Sequence, residues 1–270
     1  MRTSALTGSL RRVGGLCLRH LYILRGSWLR LLEMAYWPVI NVVMWGFTSQ
    51  FLSGVSSWVA QAGGLLIAAV LLWDVMFRSN LGVALSFLEE MWSRNLGYLS
   101  VSPLRPGEMV AAILIMSLVR TLIGVLPAAL LAIPLYHFSI FSLGLPLLAF
   151  WALLMMMGWA MGLVVSAMVL RFGIGAESLA WVLIFAIGPL AGVYYPISVL
   201  PSWLQPLAWA LPPAYVFEGM RAVMVEGVVR LDLMLSALAL DLLYLLAGIG
   251  VFLLAWRGAR VRGALLNIGE

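Results

Sequence analysis

Six stretches of the chain are almost continuously apolar: residues 35–52, 58–78, 109–135, 143–169, 178–195 and 232–256. Each approaches or exceeds the roughly 20 residues that a helix needs to cross a bilayer. Inside hydrocarbon every backbone N–H and C=O must find its partner within the protein, so runs of this composition fold as helices. The pattern predicts an all-α membrane bundle of six spans. Arginine placement predicts its orientation, because short basic loops stay in the cytoplasm. Arg2, Arg11, Arg12, Arg19, Arg25, Arg30, Arg78, Arg94, Arg105, Arg171, Arg257, Arg260 and Arg262 fall on one side, against Arg221 and Arg230 on the other. Both termini are expected in the cytoplasm, with residues 257–270 as a short tail.

The segments between the runs carry their own patterns. In residues 1–34, Leu10, Val13, Cys17, Leu21, Leu24, Trp28 and Leu31 form one stripe at helical spacing. Arg11, Arg12, Arg19, Arg25 and Arg30 gather on another face. This reads as an interfacial helix with its stripe in the acyl boundary and its arginines toward anionic headgroups, each worth about 1 kcal/mol. An organelle transit peptide is the competing reading, since no acid precedes Glu33; a twin-arginine signal at Arg11 and Arg12 is spoiled by Arg19 and Arg25. Between the second and third runs, Leu85, Leu88, Trp92, Leu96 and Leu99 recur at helical spacing, with Glu89, Glu90, Ser93 and Arg94 on the other face. That predicts a short amphipathic helix along the inner surface, within a polar segment of residues 79–108, built to touch a partner or else only solvated. In residues 196–226, Pro196, Pro201, Pro206, Pro212 and Pro213 interrupt an apolar stretch holding Trp203, Trp209 and Tyr215. Proline at this density forbids one continuous span, so short helices that dip into the outer leaflet and return are expected, or a surface loop anchored by tryptophan.

Composition narrows the chemistry. The 270 residues are 64% hydrophobic and 10% charged, with a mean hydropathy of +1.06. All sixteen basic residues are arginine. Without lysine the chain supplies neither a Walker-type phosphate loop nor a Schiff base. A single cysteine, Cys17, and two histidines, His20 and His137, make a disulfide scaffold or a multi-histidine metal site improbable. Glu89 and Glu90 are adjacent, so on a helix they point about 100° apart and do not converge on one substrate. Nothing calls for a cofactor bound by this chain or for nucleic acid. Asp74 and Arg78, four apart, can pair along one helix face. Arg120 and Asp241 lie within spans, where each needs a partner or a wet cavity; they are expected to line or brace a transport path, with a purely structural role as the alternative. Gly158 with Gly162, and Gly188 with Gly192, are small-residue steps for close helix packing.

Two stretches carry a family resemblance: EEMWSRNLGYLSVSPLRPGE, from Glu89 to Glu108, and LAGVYYPISVLPSWLQPLAWALPPAYVFEGMRAVM, from Leu190 to Met224. With the order of parts around them, from about residue 5 to 256, the chain resembles the type-2 ABC exporter permeases, which include polysaccharide, lipo-oligosaccharide and drug exporters. The resemblance implies a bacterial inner-membrane subunit that moves an amphipathic or lipid-linked substrate outward. It implies two copies of the chain around a central path and two separate ATPase subunits beneath, which bind ATP and Mg. Glu89, Glu90, Met91, Trp92 and Arg94 would then couple to the ATPase, flanked by the N-terminal helix. Tyr194, Tyr195, Pro196, Pro201, Trp203, Glu218 and Arg221 would gate the outer exit. The rival classes are a secondary transporter or channel, which would need coupling acids at mid-membrane and repeated halves, and a membrane scaffold or hydrolase.

Overall fold

The structure, a computed structural model, describes the backbone of residues 2–53 and 57–263, with side chains for 7–51, 64–173 and 175–263. The predicted tail beyond residue 263 lies outside the described residues. Among the described residues the protein is 85% helical and no strand occurs. Among the described residues ten α-helices follow in order: α1 (Arg2–Arg25), α2 (Trp28–Ser53), α3 (Ser57–Trp92), α4 (Leu96–Val101), α5 (Pro106–Tyr136), α6 (Leu145–Phe172), α7 (Leu179–Ile187), α8 (Gln205–Trp209), α9 (Pro212–Arg221) and α10 (Leu231–Val261). Short 3₁₀ turns sit at Ile140–Leu143, Ile174–Ser178 and Ile197–Val199, and a π turn at Ala222–Glu226 continues α9.

Among the described residues, four helices are long and apolar enough to cross a membrane: α3, α5, α6 and α10. Two of the six expected spans fall outside that set. The 35–52 run lies in α2, which has the length but is diluted by Asn41, Thr48, Ser49 and Gln50 and carries Pro38 inside it. The 178–195 run is helical only as the nine residues of α7, about 14 Å at 1.5 Å per residue, against a hydrocarbon core of about 30 Å. The chain turns after Gly188, where Pro189 has no N–H to continue the helix.

The third difference concerns the inner-surface helix expected over residues 85–99. Instead α3 runs unbroken to Trp92, 36 residues in all, about 54 Å and far more than a bilayer requires. It continues because its inward positions stay apolar and buried through Val83, Ala84, Phe87, Leu88 and Met91. It ends in a Schellman-type cap. The Asn95 N–H donates to the Glu90 carbonyl at 2.9 Å and the Arg94 N–H to the Met91 carbonyl at 2.8 Å. Arg94 takes the left-handed position with φ of 53°, which glycine normally fills.

α3 and α6 form the centre, mostly buried, whereas α10 is mostly exposed. One apolar layer joins Leu71, Leu72, Met76, Phe150, Leu154, Phe217 and Met220 toward the proline-rich end. A second joins Phe87, Met91, Leu96, Met109, Ile113, Phe252 and Trp256 toward the α4 end. Close approach of α3 to α6 depends on absent side chains. A Cβ on Gly158 would stand 1.7 Å from Ser79 Oγ, and one on Gly162 would stand 2.6 Å from Val83 Cβ. α10 reaches α6 in the same way, Gly248 lying where a Cβ would meet the Ala160 carbonyl at 2.8 Å. The exposed face of α10, with Leu235, Leu242, Leu246 and Leu254, suits a hydrocarbon solvent, which exacts no penalty for it.

Gly158→Ala is expected to lower thermal stability in detergent by about 1–3 kcal/mol, the usual cost of overpacking. Gly250→Ala, with open space around its Cβ, is the control and should leave the melting temperature unchanged or slightly higher.

Candidate functional site

Among the described residues, ion pairs are most concentrated around the last turns of α3. Glu90 is fully buried and Glu89 nearly so. A carboxylate out of water needs cations and donors close by, and four separate segments supply them. From α5, Arg120 Nη2 donates to Glu89 Oε2 at 2.5 Å. From α2, Arg30 Nη1 donates to Glu89 Oε1 at 3.3 Å. From α1, Arg19 pairs with Glu90, and His20, wholly buried, lies between the two acids with Nδ1 3.4 Å from Glu89 Oε2 and Nε2 3.4 Å from Glu90 Oε1. From the cap of α3, Asn95 Nδ2 donates to Glu90 Oε2 at 2.6 Å.

A second carboxylate anchors α1 further along. Glu108, on the first turn of α5, accepts Arg12 Nε at 2.8 Å and Nη2 at 2.6 Å, Ser9 Oγ at 2.7 Å and the Arg105 backbone N–H at 2.9 Å. Proline at the first helical position and an acid two residues later are the local signals that start α5 here. Arg12, Leu16, Arg19 and His20 share one face of α1, and that face is turned into the protein. The expected headgroup face is corrected accordingly: Arg12 and Arg19 bind carboxylates of their own chain, while Arg11 and Arg25 remain exposed. Trp28 is exposed, whereas Leu24, from the same predicted stripe, is buried.

The residues expected to couple to a partner separate into two groups. Glu89, Glu90 and Met91 point inward. Trp92 is 51% exposed, Tyr98 76% and Val101 83%, and Arg94 joins them on the surface. These four, at the end of α3 and on α4, form an exposed aromatic and basic tip next in sequence to the buried acids. Beside the tip, α1 and α4 enclose a groove of about 440 Å³ lined by Arg12, Leu16, Arg19, Asn95, Leu99 and Leu104.

At the opposite end the proline-rich segment is tied down by one ion pair. Glu218 Oε1 accepts the Ile197 N–H at 2.7 Å, Arg221 Nη1 donates to the Gly192 carbonyl at 2.8 Å, and the two side chains meet at 3.1 Å. Gly192, at φ of 62°, makes the turn they hold. Tyr195 Oη donates to the Pro189 carbonyl at 2.6 Å, and Tyr194 stacks on Trp45 of α2 at 4.7 Å between centroids. Pro196 adjoins a cavity of about 520 Å³ that Gln205, Trp209, Glu218, Glu226 and Arg230 also line. Pro201 and Trp203 lie on the surface outside it, Trp203 being 75% exposed.

The charges expected within spans have different fates. Arg120 is 4% exposed and braced on Glu89. Asp74 and Arg78 form no ion pair within 4 Å among the described residues; Asp74 instead accepts from Asn41 Nδ2 at 3.3 Å. Asp241 is fully buried on the packed face of α10, and neither of its oxygens has a hydrogen-bond partner among the described residues. Among the described residues no group of three or more His, Cys, Asp or Glu is placed to hold a metal ion.

Sequence alone assigned no site role to His20, Asn95 or Glu108. An acid at the start of α5 signalled Glu108, as helix starts favour acids, but no local pattern joins positions 20, 89 and 120. The family model described as ABC-2 type transporter matches residues 21–225. A comparison with curated proteins finds no match.

Arg120→Met removes one partner of a buried pair. The expected cost is about 3–5 kcal/mol of stability, read as an early melting transition of the purified protein, and larger than that of Arg230→Met, whose pair with Asp232 is exposed.

Proposed function

The chain belongs to the ABC-2 type transporter family, and on that premise we propose that it is the membrane permease of an exporter driven by a separate ABC ATPase. Two copies surround the path, and two ATPases beneath bind ATP and Mg, this chain binding neither. The substrate is an amphipathic or lipid-linked molecule, such as a glycan, a lipid or a hydrophobic drug, moved outward across a bacterial inner membrane. The observation that carries the reading is the exposed group of Trp92, Arg94, Tyr98 and Val101 at the end of α3, where ion pairs to Glu89 and Glu90 fasten α3 to α1, α2 and α5.

In this reading the tip and the groove beside it receive the ATPase. Both termini and α4 face the cytoplasm. α2 completes the bundle as a span, and the Ile174–Ser178 turn, α7 and the turn after it make the fifth crossing together, with α8 and α9 returning into the outer leaflet. Closure of the ATPase pair pushes the tip. α3 is long and packed on all sides at its centre, so a push at Trp92 moves it as a lever. Glu89 carries the displacement to α5 through Arg120 and to α2 through Arg30. The ATPase thereby biases two arrangements of the bundle by differential contact, and this chain performs no bond chemistry.

Two surfaces support the remaining parts. α2 exposes Trp28, Leu32, Tyr36, Trp37, Met44, Phe47 and Phe51, and α7 exposes Trp181, Val182 and Phe185. An aromatic face of this extent suits a second copy. At the outer end the Trp45–Tyr194 stack and the cavity beside Trp209 offer aromatic walls with polar groups between them, as an exit for a molecule with apolar and polar parts requires. Glu218 and Arg221 hold the gate segment in place.

The test is retention and coupling. The chain, expressed with its ATPase and purified, should hold that ATPase, and the pair of changes Trp92→Asp and Tyr98→Asp should abolish retention while the melting temperature of the permease stays within a few degrees of the parent. Full retention and full ATP-dependent transport by the double variant would overturn the docking role. Uphill transport by the chain reconstituted without any ATPase would overturn the exporter reading.

A further inference from the structure

Among the groups in the charged hub, His20 is the one imidazole, a ring that carries either one N–H or two. It occupies the centre, fully buried, with a carboxylate oxygen 3.4 Å from each ring nitrogen. Those two oxygens belong to different residues, Glu89 and Glu90, both on α3, whereas His20 is on α1. A neutral imidazole has one N–H and one bare lone pair. Whichever tautomer it adopts, one nitrogen lone pair then faces a carboxylate oxygen across 3.4 Å. Only the imidazolium presents a donor to both acids at once. No other hydrogen bond to either nitrogen competes among the described residues.

We propose that His20 is a protonation latch that fastens α1 to the end of α3: docked when the ring is charged and loosened when it is neutral. The charged groups that face it are Arg19 from α1, Arg30 from α2, Glu89 and Glu90 from α3 and Arg120 from α5, with Asn95 beside Glu90. The arginines and acids are held around the ring by their own pairings, and the ring is the member of the cluster that donates either to both acids or to one. The sign follows. The docked state binds the extra proton, so docking is strongest on the acid side of the imidazole range and weakens as pH rises through it. Arg12 on Glu108, two turns away, holds the N-terminal part of α1 in both states. Loosening is therefore confined to the part of α1 around Cys17 and His20, which is also one wall of the groove against α4. The latch acts on the attachment of α1 and does not depend on which substrate is carried.

Cys17, the single cysteine of the chain, lies one turn before His20, half-buried, its Sγ 3.8 Å from the Ala112 carbonyl of α5. Burial there pushes its thiol above the ordinary cysteine range, so release of α1 exposes a more reactive group. The experiment measures the rate at which N-ethylmaleimide labels Cys17 in the full-length protein in phosphatidylcholine nanodiscs, at steps between about pH 6 and pH 8. Each rate is divided into that of the same protein unfolded in SDS at the same pH, which cancels the intrinsic titration of a free thiol. Protection should be about tenfold greater at the acid end, the worth of one hydrogen bond to a charged group. His20→Gln should flatten the profile at the alkaline level, and His137→Gln, which removes the only other histidine, should leave it intact. A flat profile in the unaltered protein overturns the latch without recourse to any variant. So does a slope that survives His20→Gln, or one that disappears with His137→Gln.

Discussion

Two adjacent carboxylates buried at the end of a long helix set the terms for much of this structure. Glu89 and Glu90 point about 100° apart on α3, so each draws in partners of its own, and neither can be left without one inside the protein. α1, α2 and α5 each deliver a cation to that place. The requirement fixes the rotation of α1, because Arg12, Arg19 and His20 must all face inward, and it fixes the turn of the chain after Trp92, because Asn95 completes the shell around Glu90. What is left outside, from Trp92 to Val101, is held at the tip of a braced helix.

The two ends of the bundle are secured by different means. At the α4 end, charge does the work, with arginines crossing between helices that are far apart in sequence. At the proline-rich end, one ion pair, Glu218 with Arg221, is spent on backbone groups, the Ile197 N–H and the Gly192 carbonyl, since a segment interrupted by proline leaves such groups without helical partners. Between the ends the helices meet through missing side chains at Gly158, Gly162 and Gly248. A membrane bundle gains little from burying apolar surface against lipid of equal polarity, so close packing and paired polar groups carry the association.

The sequence made some of this legible and hid the rest. The steps at Gly158 and Gly162 were readable as packing sites because their spacing is a local property of one helix. The pair at Gly188 and Gly192 had the same spacing but belongs to no common helix, since α7 stops at Ile187. The amphipathic pattern around Glu89 and Trp92 was visible, yet periodicity alone does not say whether an acid on the polar face meets water or arginines from three other helices. Arg120 read as a mid-span charge in need of a partner; its partner, 31 positions earlier, was unreadable because nothing local links them.

Hydrophobic runs by themselves determined that the chain folds as helices in oil, because the bilayer leaves the backbone no alternative. Tertiary structure alone decided where α3 ends, which arginines meet lipid and which meet carboxylates, and that His20 belongs to the charged centre. The physical reason is range. Backbone satisfaction is settled within a few residues, whereas neutralising a buried charge draws on side chains brought together only when distant helices pack.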